Sequence, residues 1–291
     1  MTTLLALAGL TILKPGGVFH GFVVNPFQIL RSDPTWQQAM REVLEDVPDG
    51  SNTGETALRH GTADGGQIAL TFDDGPHPGK TEKLLTLLRG QHVKATFFLV
   101  GSMAKKAPKL VRMIENEGHQ LANHTFSHVN LKHVTWAEAA AEYRACNKVI
   151  FQQTGQWMKY CRPPGGDFNS VTLRAARASG LKTVLWTDDP GDYTQPGMET
   201  IYRKAVARMH PGGIILLHDG VEQTLAVLPS IIRYARQHGW TFVTIDQLDQ
   251  ESRAASHGQL VRASGKSEMA RSSNPAERQT PFQSPSTRTK H

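Results

Sequence analysis

From Gln67 onward, short apolar runs alternate with amphipathic stretches along the chain. The runs Gln67–Phe72, Lys94–Val100, His119–Asn123, Lys159–Arg162, Lys182–Trp186, Gly213–Leu217 and Trp240–Ile245 read as strands. The stretches Lys80–Arg89, Ala107–Glu117, Thr135–Thr154, Ser170–Ala178, Met198–Met209 and Glu222–His238 read as helices. Strand, helix, strand, repeated, implies a parallel sheet, because parallel neighbours need a crossover between them. This repetition over residues 67–249 predicts an α/β fold with a closed or nearly closed barrel, an open doubly wound sheet being the runner-up.

The flanks read differently. Residues 1–66 form an N-terminal extension and linker. Within them Pro34–Val47 predicts a helix, with Asp33 as cap, Pro34 in the first turn, and Trp36, Met40 and Leu44 recurring at a spacing of four. Asp49–Gly66 is rich in Gly, Asp, Ser, Thr and Asn and reads as a linker or long surface loop. Residues 250–291 are rich in Ser, Thr, Arg, Gln and Pro, with too few apolar residues to offset the entropy of ordering them; they read as a disordered basic tail.

Composition narrows the class only slightly. The chain has 291 residues, 39% hydrophobic and 20% charged, which suits one globular domain with additional length. Its formal charge of +6 sits mostly in the tail, where Arg253, Arg262, Lys266, Arg271, Arg278, Arg288 and Lys290 face three glutamates. The body is near neutral, so no nucleic-acid partner is expected. Two cysteines, Cys146 and Cys161, exclude a disulfide-rich scaffold and leave a single bridge or two free thiols open. The apolar run Leu4–Leu13 is too short to span a bilayer and lacks a basic residue ahead of it, so it reads as a poor export signal or a buried strand. Location stays open: outside the cytoplasm for a polymeric substrate, cytoplasmic for a small one.

The candidate chemistry lies where strands end. Asp73 and Asp74 follow the first strand, and His124 and His128 follow the third. Arg162, Pro164 and Gly165 follow the fourth, Asp189, Asp192 and Tyr193 the fifth, and His218 the sixth. In a parallel barrel these ends share one mouth. Adjacent carboxylates need a positive neighbour, which a metal ion supplies, although a polar turn before Gly75-Pro76 is the plainer reading of the pair alone. His124 and His128 are four apart, a spacing that on a helical turn places both rings on one face. Two histidines and one carboxylate make a three-ligand set that leaves room for water.

These segments, TFDDGP (71–76), HTFSH (124–128), RPPGG (162–166), DPGDY (189–193) and LLH (216–218), resemble in order and spacing the five motifs of the polysaccharide deacetylase family, also called the NodB-homology domain or carbohydrate esterase family 4. The resemblance covers roughly residues 67–248. It implies a distorted (β/α) barrel of about seven strands and a metal-dependent hydrolase acting on N-acetyl groups of GlcNAc-containing glycans such as chitin oligomers or peptidoglycan. It also implies that Asp74, His124 and His128 bind a divalent metal, commonly zinc, with cobalt or nickel as substitutes. By the same resemblance Asp73 is the general base, His218 the general acid, and Arg162 holds the base. Asp192 orients His218, and the N–H of Gly165, after Pro164, meets the developing oxyanion. Two positions depart from the family pattern: Gly165 stands where an aromatic residue is usual, and Tyr193 where Trp is usual. An O-acetyl esterase on a xylan-like glycan and a non-catalytic glycan-binding module are the alternatives. Asp188, Asp189 and Asp219 read as turn formers or supporting acceptors, and His77, His119, His133 and His210 as structural.

Overall fold

The computed structural model describes residues 32–45 and 57–256. A parallel seven-stranded sheet forms its centre. The elements run α1 (Pro34–Glu45), β1 (Gln67–Gly75), α2 (Thr81–Gly90), β2 (Thr96–Leu99), α3 (Gly101–Lys106), α4 (Pro108–Asn116), β3 (Gln120–Asn123), α5 (Trp136–Thr154), β4 (Tyr160–Cys161), α6 (Ser170–Ala178), β5 (Lys182–Thr183), α7 (Met198–Arg208), β6 (Ile214–His218), α8 (Glu222–Gln237) and β7 (Thr241–Val243). A final helix, α9, spans residues 245–256.

The strand order is β5-β4-β3-β2-β1-β6, with β7 pairing the start of β1. A parallel bridge between Asp188, just beyond β5, and Ile215 of β6 joins the two ends, so the sheet curls round on itself. The reading of a closed or nearly closed barrel therefore holds over the open sheet. β1 is its centre: Ile68 through Asp73 are all buried, which is why that segment reads as a continuous apolar run rather than an alternating one.

Two layers of core follow. Ala69, Phe98, Ala122, Tyr160, Val184 and Ile214 pack with Ile245 and Leu248 of α9. The opposite faces of the strands pack against the surrounding helices. Helix boundaries follow local chemistry. Thr135 and Glu138 form a reciprocal capping box at the start of α5, and Gly155 ends that helix in a left-handed conformation. Gly101 lets α3 approach α5, since a Cβ there would lie 2.9 Å from the Cys146 Cα.

The flanking segments are more integrated than their composition suggests. α1 buries Trp36, Ala39 and Val43, while Leu44 is 63% exposed. A strict spacing of four drifts about 40° per step around a helix of 3.6 residues per turn, so Leu44 rotates out of the face that Trp36 begins. Residues 57–66 belong to the barrel: Leu58 bridges Val184, and the Gly61 N–H donates to the Gly212 carbonyl at 2.7 Å. α9 runs through the boundary placed at 250. Its Asp249 meets Lys182 Nζ at 2.6 Å and the Tyr160 hydroxyl at 3.1 Å, which fixes it across the starts of β4 and β5. The run 4–13, residues 46–56 of the linker and extension, and the tail from 257 lie outside the described residues. Both cysteines are free and buried, and burial pushes the Cys161 thiol up to about 12.

Asp188 carries a cost. Its side chain is buried and neither carboxylate oxygen has a hydrogen-bond partner. Burial raises its pKa to about 7, against the pull of Arg208. The folded chain thus keeps the proton from the ordinary carboxylate range up to about pH 7, whereas the unfolded chain has lost it, so stability falls as pH rises through that window. Asp188→Asn removes this dependence. Denaturant unfolding at about pH 5 and about pH 8 should show the variant gaining roughly 2–3 kcal/mol on the wild type between the two. A constant difference would contradict the assignment.

Candidate active site

The C-terminal ends of β1, β3, β4 and β6 converge on one mouth. Arg162, just after β4, is wholly buried there, beneath the carboxylate of Asp73. Its Nη1 donates to Asp73 Oδ1 at 2.6 Å and to Thr71 Oγ1 at 2.9 Å, and its Nη2 to the Leu185 carbonyl at 3.1 Å. The guanidinium lies over the rings of Phe98 and Trp186, at 4.1 and 5.4 Å from their centroids. Burial lowers its pKa, and the charge and hydrogen bond of Asp73 work against that loss. Thr71 Oγ1 in turn donates to the Ile215 carbonyl at 2.6 Å, tying the arrangement to β6.

Asp74 points elsewhere. It takes a left-handed backbone, φ 71°, which turns it away from the direction of its neighbour. Its Oδ1 lies 3.0 Å from His128 Nε2 and 3.3 Å from His124 Nε2. The three ligand atoms all lie within 4.8 Å of one another. The Nδ1 of His124 sits 2.7 Å from the Arg162 carbonyl, which can only accept, so this ring carries its hydrogen on Nδ1 and presents a lone pair from Nε2. Asp74 Oδ1 is buried and receives no hydrogen bond of ordinary geometry. An orphaned carboxylate oxygen facing an imidazole lone pair is a set that requires a cation, and a divalent ion fits it. Burial works to raise the Asp74 pKa; hydrogen bonds and positive charge from His124 and His128, were both rings protonated, would outweigh it and hold the carboxyl well below the usual range, and a divalent ion would supply that charge where the rings offer lone pairs. Burial likewise opposes charge on His128, and the Asp74 carboxylate outweighs it, raising that pKa.

The route that brings the histidines together differs from the helical turn expected from their spacing. Residues 124–128 form a loop, with Thr125 at φ 66° and His128 at φ 60°. These two left-handed residues fold the loop back and leave the ring centroids 5.0 Å apart.

His218 ends β6, directly opposite Asp73 in the register. Its Nδ1 lies 2.7 Å from Asp192 Oδ1, and its backbone N–H donates to Asp192 Oδ2 at 2.8 Å. Asp192 is fully buried and also accepts from Thr224 Oγ1 at 2.6 Å. Burial disfavours the charged imidazole, but the Asp192 hydrogen bond and charge, with Asp73 and Asp74 beyond, raise its pKa. Tyr193 stands beside it, ring centroids 5.2 Å apart and 58% exposed.

Pro164 is buried, and Gly165 follows at φ 66° with open space where a Cβ would stand. The side of the mouth that an aromatic residue would wall is open in this chain. Of the remaining polar residues, Asp188 is not the supporting acceptor its place suggested, since its carboxylate accepts nothing; others have local partners. Asp189 accepts from the Gly191 N–H at 2.8 Å, and Asp219 accepts from Thr81 Oγ1 at 2.5 Å. His77 packs against Gly220, and His119 Nδ1 accepts from the Ala95 N–H at 3.2 Å. Burial, helped by Lys94, lowers the His119 pKa to about 4. Thr71 and Thr224 escape a reading of the sequence. Thr71 sits in a motif but carries no charge, and Thr224 opens an amphipathic helix with nothing to link it to Asp192.

Comparison with known proteins places this geometry in context. Residues 60–184 match the family model described as polysaccharide deacetylase. A peptidoglycan-N-acetylglucosamine deacetylase of Bacillus cereus is 37% identical over 191 residues, 62% of this chain and 87% of that protein. A chitooligosaccharide deacetylase of Sinorhizobium fredii is 32% identical, over 66% of this chain and 95% of that protein. Among solved structures, a peptidoglycan N-acetylglucosamine deacetylase in complex with 4-naphthalen-1-yl-N-oxidanyl-benzamide superposes with a TM-score of 0.65 at 33% identity, covering 67% of this chain and 94% of that one.

The Asp192 contact yields a direct test. In Asp192→Asn the pKa of His218, followed by NMR of the imidazole, should fall towards or below its ordinary value. An unmoved pKa in Asp192→Asn would remove Asp192 from the role of orienting acid.

Proposed function

The chain belongs to the polysaccharide deacetylase family, and from that premise we propose that it hydrolyses N-acetyl groups of GlcNAc-containing glycans, with Asp74, His124 and His128 holding a divalent metal. The observation that carries this reading is the division of labour between two adjacent carboxylates. Asp74 faces two imidazole nitrogens at 3.0 and 3.3 Å, while Asp73 is held by Arg162 at 2.6 Å. One is arranged as a ligand and the other as a base. Zinc is the metal that two imidazoles and one carboxylate favour.

When bound, the metal supplies Lewis-acid chemistry, easing loss of a proton from water and polarising the acetyl carbonyl. Asp73 takes the proton from the attacking water. Its Oδ1 is committed to Arg162, so Oδ2, 3.7 Å from His124 Nε2, is the atom free to receive it. Arg162 holds the base in place. On this reading the N–H of Gly165 donates to the oxygen that gains charge. His218 then donates from Nε2 to the amine nitrogen as the C–N bond breaks, because an amine leaves poorly without that proton. Its Nδ1 is held by Asp192 throughout, and the raised pKa keeps the ring charged to a higher pH than a free imidazole. Acetate and a free amine result, with water supplying the remaining oxygen and hydrogen. Tyr193 and the open ground at Gly165 flank the sugar and set its grip. A polymeric glycan as the substrate would place the enzyme outside the cytoplasm. Among the described residues no helix is long and apolar enough to cross a membrane.

Asp74→Ala, His124→Ala and His128→Ala should each lose stoichiometric metal and acetate release from chitin oligomers together. Asp73→Asn should keep the metal and lose at least about 100-fold in kcat. Full turnover by Asp73→Asn would reassign the base.

A further inference from the structure

The loop that carries the two histidines rests on a single buried acid. Glu142 lies in the middle of α5 and is wholly buried. Its Oε2 accepts from the Phe126 N–H at 3.0 Å and the Ser127 N–H at 2.9 Å, and its Oε1 accepts from Ser127 Oγ at 2.8 Å. Phe126 and Ser127 lie between His124 and His128. The same helix holds the loop's entry: Asn123 Nδ2 donates to the Tyr143 carbonyl and to Asn147 Oδ1, both at 2.8 Å, while Asn123 Oδ1 accepts from the Thr125 N–H at 2.8 Å. With Thr125 and His128 both left-handed, the loop is not a conformation these residues adopt unaided. External bonds must fix it, and Glu142 supplies three.

Behind Glu142 stands α1, which lies outside residues 60–184 matched by the family model. α1 packs on α5 through Trp36, Ala39 and Val43. It is fastened at one end by Lys105, which reaches Asp33 and Thr35 Oγ1 at 3.0 Å, and further along by Lys148 to Glu42, also 3.0 Å. The Trp36 indole N–H is buried with no acceptor of ordinary geometry. The Glu142 carboxylate is close enough to feel it: burial raises the Glu142 pKa, and Ser127, Phe126 and, least, Trp36 oppose that rise.

We infer that Glu142 is a positioning residue for the metal-ligating histidines, and that α1, through Trp36, closes the space behind Glu142 and so forms part of the support of the metal site. This rests on the reading of Asp74, His124 and His128 as ligands. Residues that orient metal ligands without touching the metal typically change affinity 10–100-fold when removed. A merely structural Glu142 would alter melting without altering the site once folded.

The test measures zinc affinity by competition with a chromophoric chelator, and the visible spectrum of the cobalt-loaded protein, on the full chain. Circular dichroism and melting serve as fold controls. Glu142→Ala should weaken zinc binding about tenfold or more and alter the cobalt bands. Glu142→Gln, which keeps an acceptor for the two N–H groups and a donor for Ser127 Oγ, should restore most of the affinity. Ser127→Ala, which removes one bond and leaves no large cavity, and Trp36→Phe should each weaken binding a few-fold. Leu44→Ala, on the exposed face of α1, should leave it unchanged. If Glu142→Ala does not fold, Ser127→Ala and Trp36→Phe decide. Folded variants with wild-type zinc affinity and cobalt spectra would overturn the inference while leaving the ligand assignment intact. A wild-type chain that binds neither metal would overturn both.

Discussion

The buried contact between Arg162 and Asp73 is the interaction on which the mouth of the barrel depends. A guanidinium with no solvent access needs a compensating anion and full hydrogen bonding, and a carboxylate at the end of a central strand needs a cation. Each answers the other at 2.6 Å. Nη1 also reaches Thr71 and Nη2 the Leu185 carbonyl, Nε is left without a partner, and the flat faces of the guanidinium meet Phe98 and Trp186. Its backbone carbonyl also fixes the tautomer of His124. One residue therefore positions the proposed base and the ring of a candidate ligand.

With Asp73 committed, Asp74 is left to a different partner. The left-handed turn at Asp74 separates two side chains that adjacent positions would otherwise leave in competition for one charge. Asp192 repeats the logic across the mouth, where a fully buried acid bound to His218 and Thr224 raises the proton affinity of the imidazole. The proposed base and acid thus face each other from neighbouring strands, paired in register at Asp73 and His218.

Much of this was legible in the sequence because catalytic groups in a parallel barrel must sit at strand ends, and strand ends are marked by the loss of apolar pattern. Asp73, Asp74, His124, His128, Arg162, Asp192 and His218 were all visible that way and converge as expected. The conformation joining His124 to His128 was not, since a spacing of four fits a helix as well as a loop with two left-handed residues. Glu142 was hidden for another reason. A glutamate in mid-helix after three alanines ordinarily faces water, and only the fold of the preceding loop onto that helix shows why it is buried. Leu44 misled by its spacing, and the tail boundary at 250 misled by composition: residues 250–256 are polar enough for a tail, yet Ile245 and Leu248 anchor their helix across the foot of the barrel.

The most direct measurement is acetate release from GlcNAc oligomers, with acetylated xylan in parallel, before and after chelation and again after zinc is returned. The account predicts release from the oligomers that chelation abolishes and zinc restores. Release from acetylated xylan alone, or release from the oligomers that persists unchanged after complete removal of metal, would contradict it.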